Sequence, residues 1–165
     1  MQSCCICPIF SRMKITLEKT FLFLFLMAGC ATQSYLKGVT PGGEKVYLGT
    51  TDIQSTEAYQ KFQQSAHSEV DKQQYLFARL KASEGLEFFH DGTWYDKIAA
   101  YRGGLWLMRH RYKKGQDTRA FIKKYIEYSE AGKLHLARYP DGTIQLGGAV
   151  LYNELDLLEE TLQRQ

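Results

Sequence analysis

Leu86–Tyr95, LEFFHDGTWY, is the stretch that decides how this chain folds. Two aromatic-rich runs flank Asp91-Gly92, and Asp-Gly is a dipeptide that readily adopts the positive φ angles of a tight hairpin turn. The stretch therefore reads as a β-hairpin. Directly after it, Ile98, Tyr101, Leu105, Met108 and Tyr112 recur at spacings of three and four residues, which predicts a helix over about 96–113. Gly103-Gly104 falls inside this helix, where each glycine costs about 1 kcal/mol relative to alanine. Either the helix bends there or another backbone approaches closely.

Downstream, Asp117 suits the N-cap of a helix over about 118–130, with Phe121, Ile122, Tyr125 and Ile126 as its apolar face and Gly132 as its stop. Leu134–Tyr139 alternates like a strand, Pro140-Asp141-Gly142 is turn chemistry, and Thr143–Leu146 is the return strand. After Gly147-Gly148, Leu151, Leu155, Leu158 and Leu162 share one face of a last helix, with Glu154, Glu159 and Glu160 expected outside it. Upstream, Ser55 or Thr56 is placed to cap a long helix, continuous or broken, over about 56–84. Its second half, Val70–Leu80, is the better core element, and Gly85 ends it. The expected fold is α+β, a small single domain of about four helices with two short β-hairpins.

Before the domain, Phe21–Cys30, FLFLFLMAGC, is apolar and ends in two small residues and a cysteine. It is far shorter than the ~20 residues a membrane-spanning helix needs. Lys14 and Lys19 precede it as a positive region, although Glu18 is an unusual charge there. Leu26-Met27-Ala28-Gly29 before Cys30 looks like a lipobox, with methionine where leucine is usual. Residues 1–29 are therefore expected to be a signal peptide, with Met13 as its natural opening and Cys30 as the lipidated residue. Residues 30–55 read as a lipid-anchored tether, and 56–165 as the globular domain. Within the tether, Tyr35–Val39 and Lys45–Leu48 are strand-like and Pro41-Gly42-Gly43 is a turn. Ala31 and Thr32 follow the cysteine without an aspartate. By resemblance to the enterobacterial sorting rule, that implies the outer membrane, facing the periplasm.

This reading changes what the composition means. Removing 29 of the 165 residues takes away Arg12, Lys14, Lys19 and Glu18, so the net charge falls from +3 to +1. A near-neutral chain argues against a polyanion binder, and no nucleic acid is expected as a partner. All four cysteines, Cys4, Cys5, Cys7 and Cys30, lie at or before the anchor. With Cys30 carrying lipid, the mature chain has no thiol for a disulfide, a zinc site or a nucleophile.

Chemistry is sparse in the domain. His67, His90, His110 and His135 fall on separate elements with no metal-ligand spacing, so no metal and no cofactor is expected. There is no GxSxG and no phosphate-binding glycine loop. Glu84, Glu87, Asp91 and Asp96 cluster around the first hairpin and would be the acid or base of a glycan hydrolase, although turn and cap roles suit them better. Arg109, Arg111, Lys113 and Lys114, with Lys123-Lys124, form the sharpest charge feature. They read as helix C-terminal cations, or as a patch for lipid phosphates or lipopolysaccharide. Trp94, Tyr95 and Trp106 are the candidates for an exposed aromatic binding surface.

The order of motifs over Gln74–Glu160 resembles an uncharacterised family of small exported proteobacterial proteins, a domain of unknown function. The pieces are Leu86-Glu87-Phe88-Phe89, Asp91-Gly92 with Tyr95, Ala99-Ala100, Thr118-Arg119-Ala120-Phe121-Ile122, Gly132 and Asp141-Gly142. Members of that family usually carry polar residues where Gly103-Gly104 stand here. The resemblance implies export and supplies no activity.

The expectation is a lipid-anchored envelope protein, leaning away from enzymatic activity, that binds another envelope component (in the first instance a protein) through its aromatic hairpin region. The alternatives are a peptidoglycan hydrolase and a lipid- or lipopolysaccharide-binding lipoprotein.

Overall fold

The Asp91-Gly92 hairpin forms as the sequence predicts, with β1 (Glu87–His90) antiparallel to β2 (Thr93–Asp96) and His90 opposite Thr93. Asp91 and Gly92 both have positive φ, 46° and 94°, as this turn demands. The computed structural model describes residues 44–164; the expected signal peptide, Cys30 and Tyr35–Val39 lie outside them. The second hairpin pairs β3 (Leu136–Arg138) with β4 (Ile144–Leu146). The two hairpins are not separate. β1 pairs antiparallel with β3, giving one four-stranded sheet in the order β2-β1-β3-β4. Glu87 stands opposite Arg138 in that register, and its Oε2 accepts from Arg138 Nη2 and Nε at 2.5 and 2.8 Å.

Five α-helices are present among the described residues, and the fold is α+β as expected. The helix expected over 56–84 is two: α1 (Glu57–Gln63), capped by Thr56, and α2 (Glu69–Ala82). The break is local chemistry. Ser68 and Asp71 form a capping box, satisfying one another's backbone N–H groups at 3.3 and 2.9 Å. His67 before it takes a positive φ of 56°, and its ring stacks on Phe62 with centroids 4.7 Å apart.

Helix α3 (Lys97–Arg111) is capped by Asp96, whose carboxylate accepts from Ala99 N–H at 2.7 Å. Helix α4 (Thr118–Tyr125) is capped by Asp117. It stops five residues short of the expected 130, because residues 126–135 fold back on themselves. Ser129 N–H donates to the Lys133 carbonyl at 2.8 Å and His135 N–H to the Glu127 carbonyl at 3.1 Å, with Gly132 at positive φ between them. Helix α5 (Gly147–Gln163) begins on the glycine pair itself. A Cβ on Gly148 would fall 2.7 Å from Glu127 Cγ, so only glycine admits that side chain.

The core is built from α2, α4, α5 and the sheet, with Phe121, Ile122, Ala137, Val150, Leu155 and Leu158 at or near complete burial. Fully burying one such Val, Leu, Ile or Phe side chain stabilises by about 1.5–3 kcal/mol. Leu48 and Ile53, expected within the tether, are packed into this core as well. Glu154 corrects the sequence reading. Expected outside the last helix's leucine face, it is fully buried. It accepts from Arg79 Nε at 2.6 Å, Tyr75 Oη at 3.0 Å and Leu48 N–H at 3.1 Å. Burial and the neighbouring Glu154 charge push the Tyr75 phenol well above its ordinary range, so it stays a neutral donor.

Candidate functional site: an aromatic-rimmed cavity

The first half of α3 lines the space beside the sheet with small residues: Ala99, Ala100, Gly103 and Gly104. Gly104 is the one residue of α3 that is buried. A Cβ there would run into the Phe77 ring, so glycine lets α3 lean on α2 at this point. The close approach comes from a side chain, not from the other backbone that the sequence had suggested. Gly103 has open space where its Cβ would be. Because these side chains are too short to reach the sheet, a cavity of about 550 Å³ remains between α3, β1, β3 and the α4–β3 connection. That volume lies in the range of small-molecule sites, about 300–1,000 Å³.

Its interior is apolar, with Phe77 and Leu80 from α2, Phe88 and Phe89 from β1, Leu136 from β3 and Leu107 from α3. Its rim is aromatic. Among the described residues the large exposed hydrophobics are Tyr95, Trp106, Tyr128 and Leu134, and the first three line this cavity. Leu134 pairs with Tyr128 across the fold-back that forms one wall.

Two polar groups reach the cavity. His135 Nδ1 lies 2.7 Å from the Ile126 carbonyl. A carbonyl only accepts, so Nδ1 carries the proton and Nε2 of the neutral ring is an acceptor. His90 Nδ1, 2.6 Å away, donates to that Nε2. His90 Nε2 faces the Asp91 carboxylate at 3.5 Å. Burial, helped by the neighbouring His90, holds His135 below its ordinary value of 6.5 against the opposing pull of the Ile126 carbonyl and Asp91. The second group is Arg111, Lys124 and Glu130, in which Arg111 Nη2 donates to Glu130 Oε1 at 2.7 Å.

Of the residues singled out in the sequence, Tyr95, Trp106 and Arg111 line the cavity. Trp106 stacks on His110 at 4.7 Å, with the Arg111 guanidinium 6.0 Å from its ring. Trp94 does not line the cavity. It packs on Phe89 and carries the Arg138 guanidinium 4.2 Å over its ring. Arg109, Lys113 and Lys114 are exposed beside the cavity without lining it. Glu87 is engaged by Arg138, and Asp96 caps α3. Glu84 is exposed, and Asp91 sits in the turn and lines the cavity. Among the described residues no three His, Cys, Asp or Glu side chains converge on a point that would hold a metal ion. No described helix is long and apolar enough to cross a membrane.

No family model, no curated protein and no solved structure matches this chain. The site therefore has to be read from its own geometry.

Sequence reasoning missed the pairing of His90 with His135, the contribution of Tyr128, and the cavity itself. The one available signal was the run of small residues, Ala99-Ala100 and Gly103-Gly104, on a helix whose other residues are large.

Proposed function

We propose that this chain is a non-enzymatic binding protein of the bacterial envelope, held to the membrane by a lipid on Cys30, which takes an apolar group of another envelope component into the α3–sheet cavity. The observation that carries the binding site is the coincidence of exposure and concavity: Tyr95, Trp106 and Tyr128 all stand at the mouth of one apolar cavity. Exposed aromatics around a concave apolar surface are what recognition sites present. The anchor rests on the FLFLFLMAGC run, and the resemblance to small exported proteins agrees with it.

The probe for the cavity is N-phenyl-1-naphthylamine, a neutral dye that fluoresces on leaving water. It is expected to bind the full chain and to quench or shift Trp106 emission. Gly103→Phe, which drives a ring into the open space beside Gly103, is expected to abolish that binding while the folded circular dichroism spectrum is kept. Ala99→Trp serves as a second blocking variant, since Ala99 is also exposed at the cavity. Equal dye binding by both variants would exclude the cavity as the site. For the anchor, Cys30→Ser is expected to abolish acylation and membrane partition; acyl chains on that variant would disprove the assignment.

A further inference from the structure

The charge around the cavity mouth is lopsided. Between Arg109 and Lys133 the chain carries eight Lys and Arg side chains against three carboxylates, a local +5 in a chain whose total is +3. Arg109, Arg111, Lys113, Lys114, Lys123 and Lys124 are all exposed. Two of them, Arg111 and Lys124, line the cavity, so the basic surface continues into its mouth. The carboxylate that meets Arg111 is Glu130, whose side chain is 90% exposed. Such a surface pair is worth at most about 1 kcal/mol and yields readily to a competing anion. The Asp91 carboxylate also lines the cavity, and it is turned to His90.

We infer that the ligand is a single-chain amphiphile with a compact anionic headgroup: an acyl chain lies among Phe77, Phe89, Leu107 and Leu136, and the headgroup meets Arg111 and Lys124. The inference rests on the cavity being the binding site, as proposed above. Volume and charge select this class together. An apolar interior of about 550 Å³ suits one chain of a small amphiphile. A cationic mouth steers an anion and repels a cation of equal length. The guanidinium of Arg111 also matches a carboxylate or phosphate edge with two parallel N–H donors.

The test is displacement of bound N-phenyl-1-naphthylamine from the full chain by tetradecanoate, tetradecanol and tetradecyltrimethylammonium. Tetradecanoate is expected to displace the dye at a concentration about tenfold or more below that of the cationic analogue. With Arg111→Gln and Lys124→Gln together, that preference is expected to vanish while the affinity for the dye is kept. Equal displacement by all three amphiphiles would overturn the headgroup assignment, because chain burial alone would explain the binding. Dye binding that none of the three displaces would overturn the acyl-chain assignment and leave an apolar side chain of a protein partner as the occupant. Both results leave the cavity itself intact. Only dye binding that survives Gly103→Phe and Ala99→Trp removes the site and, with it, this inference.

Discussion

Arg79 Nε lies 2.6 Å from Glu154 Oε1, and neither side chain exposes more than 5% of its surface. The pair joins α2 to α5 and also fastens the chain before the domain's first helix. Arg79 Nη2 donates to the Thr50 carbonyl at 2.6 Å, and Glu154 Oε2 takes the Leu48 N–H. Asn153 and Tyr139 bond the Val46 and Tyr47 carbonyls alongside. The segment that leads from the expected anchor is thus gripped by the core before it reaches α1.

Removing one member leaves the other as a buried, unpaired charge. Glu154→Leu alone is expected to destabilise the protein by about 3–5 kcal/mol, measured by urea denaturation. Arg79→Met added to it is expected to recover much of that loss. A double variant no more stable than Glu154→Leu would show that the network's hold on residues 46–50, and not the charge pair, dominates.

The two neighbouring glycines of α3 should respond in opposite directions. Gly104→Ala forces a methyl into the Phe77 ring and is expected to cost about 1–3 kcal/mol. Gly103→Ala meets open space and is expected to stabilise by up to about 1 kcal/mol, through helix propensity and a less flexible unfolded chain. Thermal midpoints of the two variants check both signs. Phe77→Leu combined with Gly104→Ala should soften the first effect.

His135 makes stability depend on pH near neutrality. Its folded value lies below the ordinary 6.5, so between the two values the unfolded chain holds more protons than the folded one. Stability is therefore expected to be flat above pH 6.5 and to decline as the pH falls from there toward the folded value. A second effect follows from the ring pair. When His135 is protonated, its Nε2 becomes a donor and can no longer accept from Nδ1 of His90, so their 2.6 Å bond is lost. Urea midpoints for wild type and His135→Asn, taken at about pH 7.5 and about pH 5.5, should show the decline only in wild type.

The Ser68–Asp71 capping box should be worth a measurable share of stability at the α1–α2 break. Ser68→Ala is expected to cost about 1 kcal/mol. Hydrogen bonds from Ser68 hold the Asp71 carboxyl below its ordinary 3.8. Its contribution is thus present above that value and lost as the pH falls through the lower folded one. An acid titration of unfolding on wild type and Ser68→Ala should differ in that window.

Much of the architecture was legible because it is local. The Asp91-Gly92 turn, the Asp96 and Asp117 caps and the leucine face of α5 each depend on residues within a few positions of one another. Even the break before α2 was written as Ser68-x-x-Asp71, although the apolar spacing from Tyr59 to Leu80 masked it. The end of α4 at Tyr125 was not legible. Ile126 continues the apolar periodicity, and only the pairing of residues 126–135 with one another draws the chain out of the helix.

The sequence by itself determined the element types, the two hairpins, the turn chemistry and the basic run beside α3. Tertiary structure decided the rest. It joined the hairpins through β1 and β3, buried Glu154 against Arg79, brought His90 to His135 from 45 residues away, and left a cavity under α3. Those features depend on contacts between residues far apart in the chain and on the space that small side chains fail to fill. Neither quantity has a period that a single sequence can display.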